Sequence, residues 1–264
     1  MKYYVISDPH SFYDETVTAL REAGYFDDAG ERRLVVVGDL LDRGGQANEM
    51  VRFMMEEMRQ GRLIYVLGNH EDLLVDALQC LSKKEVEMVS DPWSHHYTNG
   101  TWNTILQLSG MDEAYAVEHP LELVRQVLDH DFYRELLYKA VDYYETPKYV
   151  FAHGYVPCNA KGSYRMVFSA EYDPKWRDAA PHIWRMARWI NGMDVNNTFD
   201  VRLPDKTVVC GHWHASYGHA VIEKRGTEFG EGADFSPYYG DGIIAIDACT
   251  KRSGRVNCIV LEDE

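Results

Sequence analysis

Seven side chains that can bind a metal ion follow short apolar runs in this sequence. They are Asp8, His10, Asp39, Asn69, His153, His212 and His214. Carboxylate, imidazole and amide oxygen together suit divalent cations such as manganese, iron or zinc. Seven candidates exceed the four ligands of one tetrahedral ion, so the set favours two ions that share a carboxylate. Two ions about 3.5–4 Å apart can orient a hydroxide and offset charge on a substrate oxygen, so the set indicates hydrolysis.

The elements that must position these side chains are short strands. Apolar runs rich in β-branched residues occupy residues 3–6, 34–37, 63–67, 148–152, 207–210, 243–247 and 256–261. Amphipathic stretches follow the first three runs, the clearest at residues 47–59. This alternation predicts an α/β fold with buried strands. Ligands of such folds collect at the carboxyl ends of the strands, where the polar side chains lie.

No sharp change of composition divides residues 1–264, so we expect a single domain. Residues 80–147 are expected to form a mainly helical elaboration of it, in which residues 121–137 have the clearest helical pattern. Residues 155–204 are aromatic and irregular. Residues 225–242 are rich in glycine and are expected to form a mobile loop.

Charge and cysteine usage narrow the functional classes. Lys and Arg total 27 against 42 Asp and Glu, which gives a formal charge of −15. A long nucleic acid is therefore an unexpected partner. The 5 cysteines form no C-x-x-C pair, which disfavours a thiolate zinc site and a disulfide framework. Without a signal-peptide pattern or an apolar run that could span a membrane, we expect a cytoplasmic protein with no membrane partner.

The polar clusters resemble the ordered motifs of calcineurin-like metallophosphoesterases. The matching segments are Ser7-Asp8-Pro9-His10, Gly38-Asp39-Leu40-Leu41-Asp42-Arg43-Gly44, Gly68-Asn69-His70-Glu71, Ala152-His153-Gly154 and Gly211-His212-Trp213-His214. The D-R-G and N-H-E triplets, and Ile246-Asp247-Ala248 near the end, are similar to the phosphoprotein phosphatase branch. The resemblance implies a sandwich of two mixed β-sheets flanked by α-helices.

The resemblance also implies which residues bind two divalent ions, with manganese as the first expectation and iron or zinc as alternatives. Asp8, His10 and His214 would bind one ion. Asn69, His153 and His212 would bind the other, and Asp39 would bridge both.

Three further residues are implied in catalysis. His70 resembles the histidine that protonates the leaving oxygen, Asp42 would orient its ring, and Arg43 would grip the phosphoryl oxygens. A second substrate-binding arginine is expected between the late histidine motifs, with Arg185 favoured over Arg188. Structural stacking of these arginines on Trp184 or Trp189 is the alternative.

The leading hypothesis is hydrolysis of phosphate monoesters, phosphoproteins included, by in-line attack of a hydroxide bound to two ions, with His70 as general acid. One alternative is hydrolysis of a nucleotide anhydride of the dinucleoside polyphosphate type. That pocket should carry stacking aromatic and basic residues, for which Trp176, Trp184, Tyr164 and Arg165 are candidates. The other alternative, a metal-bound binding module without catalysis, does not require His70, Asp42 and Arg43. The expected partners are a phosphorylated small molecule, a nucleotide or a phosphoprotein.

Overall fold

Two mixed β-sheets form the centre of the protein. The structure is a computed structural model that describes residues 1–163 and 166–263. The first sheet contains β1 (Lys2–Ile6), β2 (Arg32–Val37), β3 (Leu63–Val66) and β11 (Cys258–Glu262). The first three strands are parallel, and β11 pairs antiparallel with β1 at one edge. The carboxyl ends of β1, β2 and β3 therefore lie along the same edge of the sheet.

The second sheet follows the same plan. Its strands are β4 (Tyr144–Glu145), β5 (Tyr149–Phe151), β8 (Thr207–Cys210), β9 (Tyr238–Gly240) and β10 (Ile243–Ala245). The central strands β5, β8 and β10 are parallel, and β4 and β9 pair antiparallel at the edges. A separate hairpin is formed by β6 (Lys161–Ser163) and β7 (Met166–Ser169).

The two sheets pack face to face, as the alternation of side chains along the strands requires. Tyr3 and Val5 point towards the other sheet, whereas Tyr4 and Ile6 point towards the helices. The core between the sheets consists of Tyr3, Val5, Val35, Val37, Val66, Phe151, Val209, Ile244, Ile246 and Ile259. Each sheet packs its other face against helices. The expected sandwich of two mixed sheets flanked by helices is confirmed.

Helices cover the outer faces. On the first sheet they are α1 (Tyr13–Glu22), α2 (Ala47–Arg59), α3 (Asn69–Ser82), α4 (Glu87–Ser90), α5 (His95–Asn99), α6 (Thr101–Ser109), α7 (Glu113–Glu118) and α8 (Pro120–Asp129). The remaining α-helices are α9 (Pro181–Ala187), α10 (Gly192–Thr198), α11 (Ala215–Tyr217) and α12 (Thr250–Ser253), and shorter helical turns occupy Trp176–Asp178 (3₁₀) and Gly218–Ile222 (π). The helix predicted at residues 47–59 is confirmed. No helix in the described part of the chain has the length and apolar character needed to cross a membrane.

The structure corrects three expectations. The helix expected over residues 121–137 is interrupted at His130, whose extended backbone ends α8 and whose ring Nδ1 accepts the N–H of Phe132 at 3.1 Å. A π-helical turn, Phe132–Leu137, follows. The segment 155–204, expected to be irregular, contains the β6–β7 hairpin and helices α9 and α10. Within the expected loop 225–242, Tyr238–Gly240 forms a strand because it pairs antiparallel with β10.

Candidate active site

The polar clusters lie in interlocked loops after the parallel strands. The N–H of Asp8 donates to the carbonyl of Gly38 at 3.2 Å, and the N–H of His10 donates to the carbonyl of Asp39 at 3.1 Å. Positive φ angles occur at Asp8, His10, Asp39, Asp42, Arg43 and His212. This conformation is unfavourable for residues with a Cβ and persists where surrounding contacts impose it. The loops are therefore held in the conformation that points these side chains at one another.

Asp39 lies at the centre of the site, and its two carboxylate oxygens face different histidines. Oδ1 lies 3.2 Å from His153 Nε2, whereas Oδ2 lies 3.7 Å from His10 Nε2 and 3.7 Å from His70 Nε2. Asp39 thus belongs to two groups of potential ligands, one with His10 and His70 and one with His153 and His212. A carboxylate placed in this way is able to bridge two cations.

Backbone carbonyls determine which nitrogen of three histidines faces the site. The Nδ1 of His10 bonds the carbonyl of Leu41 at 2.9 Å, and the Nδ1 of His153 bonds that of Val37 at 2.8 Å. The Nε2 of His212 instead bonds the carbonyl of Trp189 at 3.1 Å. With these nitrogens donating, the opposite ring nitrogens keep their lone pairs for a cation.

The inward-facing atoms fit a divalent ion. Within each of the two groups, the potential ligand atoms lie within 4.8 Å of one another. Two atoms that each lie ~2.1 Å from one ion are at most about 4.2 Å apart, so a small contraction suffices. Asn69 belongs beside the second group, since its Oδ1 lies 2.9 Å from His153 Nε2. Imidazole nitrogens with carboxylate and amide oxygens match the ions expected from the sequence.

Asp8 joins the site through the backbone of His212. The N–H of His212 lies 3.0 Å from one carboxylate oxygen of Asp8 and 3.3 Å from the other. His10 Nε2 lies 4.0 Å from Asp8 Oδ1, so Asp8 borders the group that contains His10.

His214 lies outside the two groups. Its Nδ1 donates to the hydroxyl of Ser216 at 2.9 Å, because that hydroxyl gives its own proton to the carbonyl of Glu228. The other nitrogen, Nε2, lies 3.3 Å from the Glu228 carboxylate. The role of His214 as a metal ligand therefore stays a prediction.

Buried carboxyl groups and His153 shift one another's pKa values in the site. Burial, followed by repulsion from Asp247, raises the pKa of Asp8 well above its usual value. Burial raises the pKa of Asp247 to about 6. Burial opposes a charge on His153, but Asp39 and Asp8 outweigh it and raise the pKa of that imidazole. Sequence analysis missed Asp247 as a site residue, although it lies two residues after β10, as Asp8 and Asp39 lie two residues after β1 and β2.

We expect removal of the bound ions to lower the stability of the fold. The substitution Asp247→Asn should make this loss of stability smaller. In the metal-free protein the Tm of Asp247→Asn should exceed that of the wild type on the order of 5 °C at pH 7. The folded-state pKa of Asp247, about 6, lies above the ordinary value of 3.8. The wild type therefore loses stability as the pH rises from about 4 to 6, and the variant's advantage grows over that window. Calorimetry with chelator at pH 4 and pH 7 checks this, and an equal advantage at both values would contradict it.

His70 and Asp42 form a buried pair next to Asp39. The Nδ1 of His70 donates to Asp42 Oδ2 at 2.7 Å, and the same oxygen accepts the hydroxyl of Thr101 at 2.7 Å. Arg43 Nη2 lies 3.2 Å from the His70 Nε2. The structure thus brings together the three residues for which a catalytic role is predicted, with the His70 Nε2 facing the Asp39 carboxylate.

The two candidate arginines are occupied by ion pairs. Arg185 Nη2 bonds Asp76 at 2.8 Å, and Arg185 Nε lies 3.5 Å from Asp72. Arg188 is buried and bonds Asp72 at 2.7 Å and Asp142 through its other nitrogen. Neither arginine is bonded to a residue of the metal groups, so substrate binding by Arg185 stays a prediction. Ion pairs with Asp72, Asp76 and Asp142, instead of the alternative stacking on tryptophan, account for both side chains.

Glu71 is a positioning residue that sequence analysis did not single out. Its buried carboxylate accepts the N–H groups of Gly68 at 2.6 Å, Asp39 at 3.1 Å and Leu40 at 3.0 Å. It also accepts the hydroxyl of Tyr65 at 2.7 Å. Glu71 therefore ties the loop after β2 to the first turn of α3, which carries His70. Its place three residues into the helix, as in a capping box, is a signal that could have revealed it.

We expect Glu71→Gln to lower the free energy of unfolding by about 3 kcal/mol. The new amide NH₂ would face N–H and O–H donors, so at least one buried donor loses its acceptor. Urea unfolding of the metal-free proteins measures the effect. The exposed Glu118→Gln is the matched control, and a Glu71→Gln variant as stable as that control would show that the carboxylate does not hold the loop.

Comparison with known proteins agrees with this geometry. A family model described as calcineurin-like phosphoesterase matches residues 1–216. The asymmetrical bis(5'-nucleosyl)-tetraphosphatase PrpE of Bacillus velezensis is 40% identical over 76 residues, which are 26% of this chain and 30% of that protein. The protein of the same name from Halalkalibacterium halodurans is 27% identical over 172 residues, 62% of this chain and 61% of that protein. The matched region thus spans less than two thirds of either relative.

A similar solved structure is that of a point mutant of a cold-active protein tyrosine phosphatase. The TM-score is 0.52 at 17% identity, over 99% of this chain and 75% of that one. At this identity the likeness concerns the fold alone. The family model covers most of the chain, from the first strand to the last histidine motif, and the chain therefore belongs to the calcineurin-like phosphoesterase family.

Proposed function

We propose that this protein is a hydrolase of phosphate esters that depends on two divalent ions. The observation that carries the proposal is the placement of Asp39, whose two oxygens face separate groups of histidines. His10 and Asp8 would hold one ion, and His153, His212 and Asn69 the other. Ions at such a site lower the pKa of water and offset charge on phosphoryl oxygens. Manganese, iron and zinc all accept this donor set, and manganese is our first expectation.

Side chains of the protein itself would donate a proton to the departing oxygen and bind the phosphoryl group. Asp42 accepts the Nδ1 proton of His70 and so keeps the imidazole in one orientation. The His70 Nε2 faces Asp39 and accepts from Arg43 in this structure. As general acid it would first take up a proton from solvent and then pass it to the departing oxygen. The guanidinium of Arg43 lies beside the same nitrogen and is more exposed than its neighbours. It is thus able to donate to two phosphoryl oxygens at once.

Nucleotide anhydrides are a second candidate substrate class beside phosphate monoesters. The relatives from Bacillus velezensis and Halalkalibacterium halodurans carry the name of an asymmetrical bis(5'-nucleosyl)-tetraphosphatase. The stacking residues suggested by the sequence do not support this class, because Trp176 and Trp184 are buried in the core of the second sheet. Tyr164 and Arg165 lie outside the described residues. A base-binding surface in the described part of the chain would therefore have to be formed by other residues.

Phosphate release from a substrate panel tests the proposal. The panel contains an aryl phosphate, phosphopeptides and diadenosine tetraphosphate, each with manganese-loaded protein and with excess chelator. We expect turnover that the chelator abolishes and that added manganese restores. Metal binding without turnover on any member would instead support a binding module.

A further inference from the structure

A cavity next to the candidate active site has the chemistry of a nucleobase pocket. Its volume is about 330 Å³, within the ~300–1,000 Å³ typical of small-molecule sites. It lies between the β6–β7 hairpin and the end of helix α9. The lining includes Lys161, Val167, Arg185, Met186, Trp189 and Ile190.

Trp189 lines the cavity and also contacts His212, a residue of the second metal group. The backbone carbonyl of Trp189 bonds His212 at 3.1 Å, and the rings of the two residues lie 5.8 Å apart. Arg185, on the same wall, is bonded to helix α3 through Asp76, and that helix begins at Asn69 and His70. The cavity therefore borders His212, a member of the second metal group.

The lining favours a flat, largely apolar group attached to anions. Val167, Met186, Trp189 and Ile190 provide apolar and aromatic surface, and Lys161 adds a positive charge. Arg185 also lines the cavity, but its charge is paired with Asp76 and Asp72. None of the described lining residues is acidic, although the chain carries a formal charge of −15. Bases stack on aromatic side chains, and cations attract the phosphates that follow them.

The position of the cavity distinguishes a nucleotide from an aryl phosphate. The Trp189 wall borders His212, which itself belongs to the second metal group. A ring seated in the cavity must therefore be joined to the reacting phosphorus by a spacer of several bonds. A ribose and a further phosphate supply that length, whereas the ring of an aryl phosphate or of phosphotyrosine is joined directly to the phosphate oxygen.

We propose that this cavity binds the base of a nucleoside polyphosphate whose phosphate chain extends to the metal groups. The proposal rests on the proposed phosphohydrolase function, which it narrows to one substrate class. Met186 is the residue to change, because it lines the cavity and is 61% exposed, so the fold tolerates substitution. Met88 is also 61% exposed on a helix and does not line this cavity, so it is the matched control.

The test compares Met186→Glu, Met88→Glu and wild type with diadenosine tetraphosphate and with 4-nitrophenyl phosphate. For Met186→Glu we expect the KM for the dinucleotide to rise at least tenfold, and the ratio of kcat/KM between dinucleotide and aryl phosphate to fall by a similar factor. Titration calorimetry with ADP on the metal-free proteins should show the same loss of affinity for Met186→Glu only.

Two outcomes would overturn the inference while the proposed function stands. In the first, the wild type is active, but all three proteins show the same preference between the dinucleotide and the aryl phosphate and the same affinity for ADP. The other is a Met186→Glu variant that selectively loses activity on a phosphotyrosyl peptide, which would make the cavity a peptide pocket. A wild type that hydrolyses neither compound, with or without manganese, would overturn the proposed function itself.

Discussion

Asp39→Asn is expected to lose bound metal and phosphohydrolase activity together. Asparagine keeps the shape of aspartate but replaces one oxygen by an NH₂ group and removes the negative charge. In the wild type each oxygen faces a different set of histidines, so the variant can serve one ion at most. We expect turnover to fall by about 10³-fold or more, and metal analysis by mass spectrometry to show less than two ions per chain.

Asp27→Asn, a change of the same kind at an exposed position, is the control and should keep full metal content. Asparagine at position 39 retains an oxygen for the N–H of His70, which lies 3.0 Å from Asp39 Oδ1. The variant should therefore fold. Full occupancy of two ions in Asp39→Asn would contradict the bridging role.

His70→Asn is expected to lower kcat by about 10²–10⁴-fold while metal content is retained. The substitution removes the nitrogen that would protonate the departing oxygen. The loss should be smaller for 4-nitrophenyl phosphate, whose leaving group needs little protonation, than for a phosphopeptide. Steady-state kinetics on both substrates, with metal analysis of the same samples, measures the effect.

A metal-ligand role for His70 is the competing explanation, because its Nε2 lies with His10 and Asp39 in one group. Loss of an ion from His70→Asn, with equal loss of activity on both substrates, would favour that role. Asp42→Asn is the companion variant: it leaves the imidazole in place but alters the acceptor of the Nδ1 proton. We expect full metal content and an intermediate loss of kcat for it.

Local pattern was sufficient to predict the strands and the loops that carry the candidate ligands. A buried parallel strand is a short β-branched run, and its end is marked by the first polar residues, as at Val37 before Gly38 and Asp39. Helix α2 was equally predictable, since Met50 and Met54 recur on one face of it. These signals depend on neighbours within a few residues, so no knowledge of the tertiary structure is needed to read them.

Residues whose role depends on distant partners could not be assigned in this way. Arg185 was favoured for substrate binding, but in the structure it pairs with Asp76, 109 residues away in the sequence. Glu228 reaches His214 from a glycine-rich segment that carries no periodic pattern. Trp176 was a candidate for stacking, but it is fully buried against the second sheet. Tertiary packing decides each of these cases, and a single sequence does not encode it as local periodicity.

The bonds that Asp8 makes have a consequence for the order of folding. Its carboxylate bonds the N–H of His212, 204 residues later in the chain, and its carbonyl accepts the hydroxyl of Thr250, 242 residues later. Closing such long loops is slow and follows the formation of local structure. A chain leaving the ribosome completes its first sheet only when β11 has been synthesised, after both contacts have become available. We therefore expect the ability to capture metal to arise in the last stage of folding, so that metal uptake would report a finished fold.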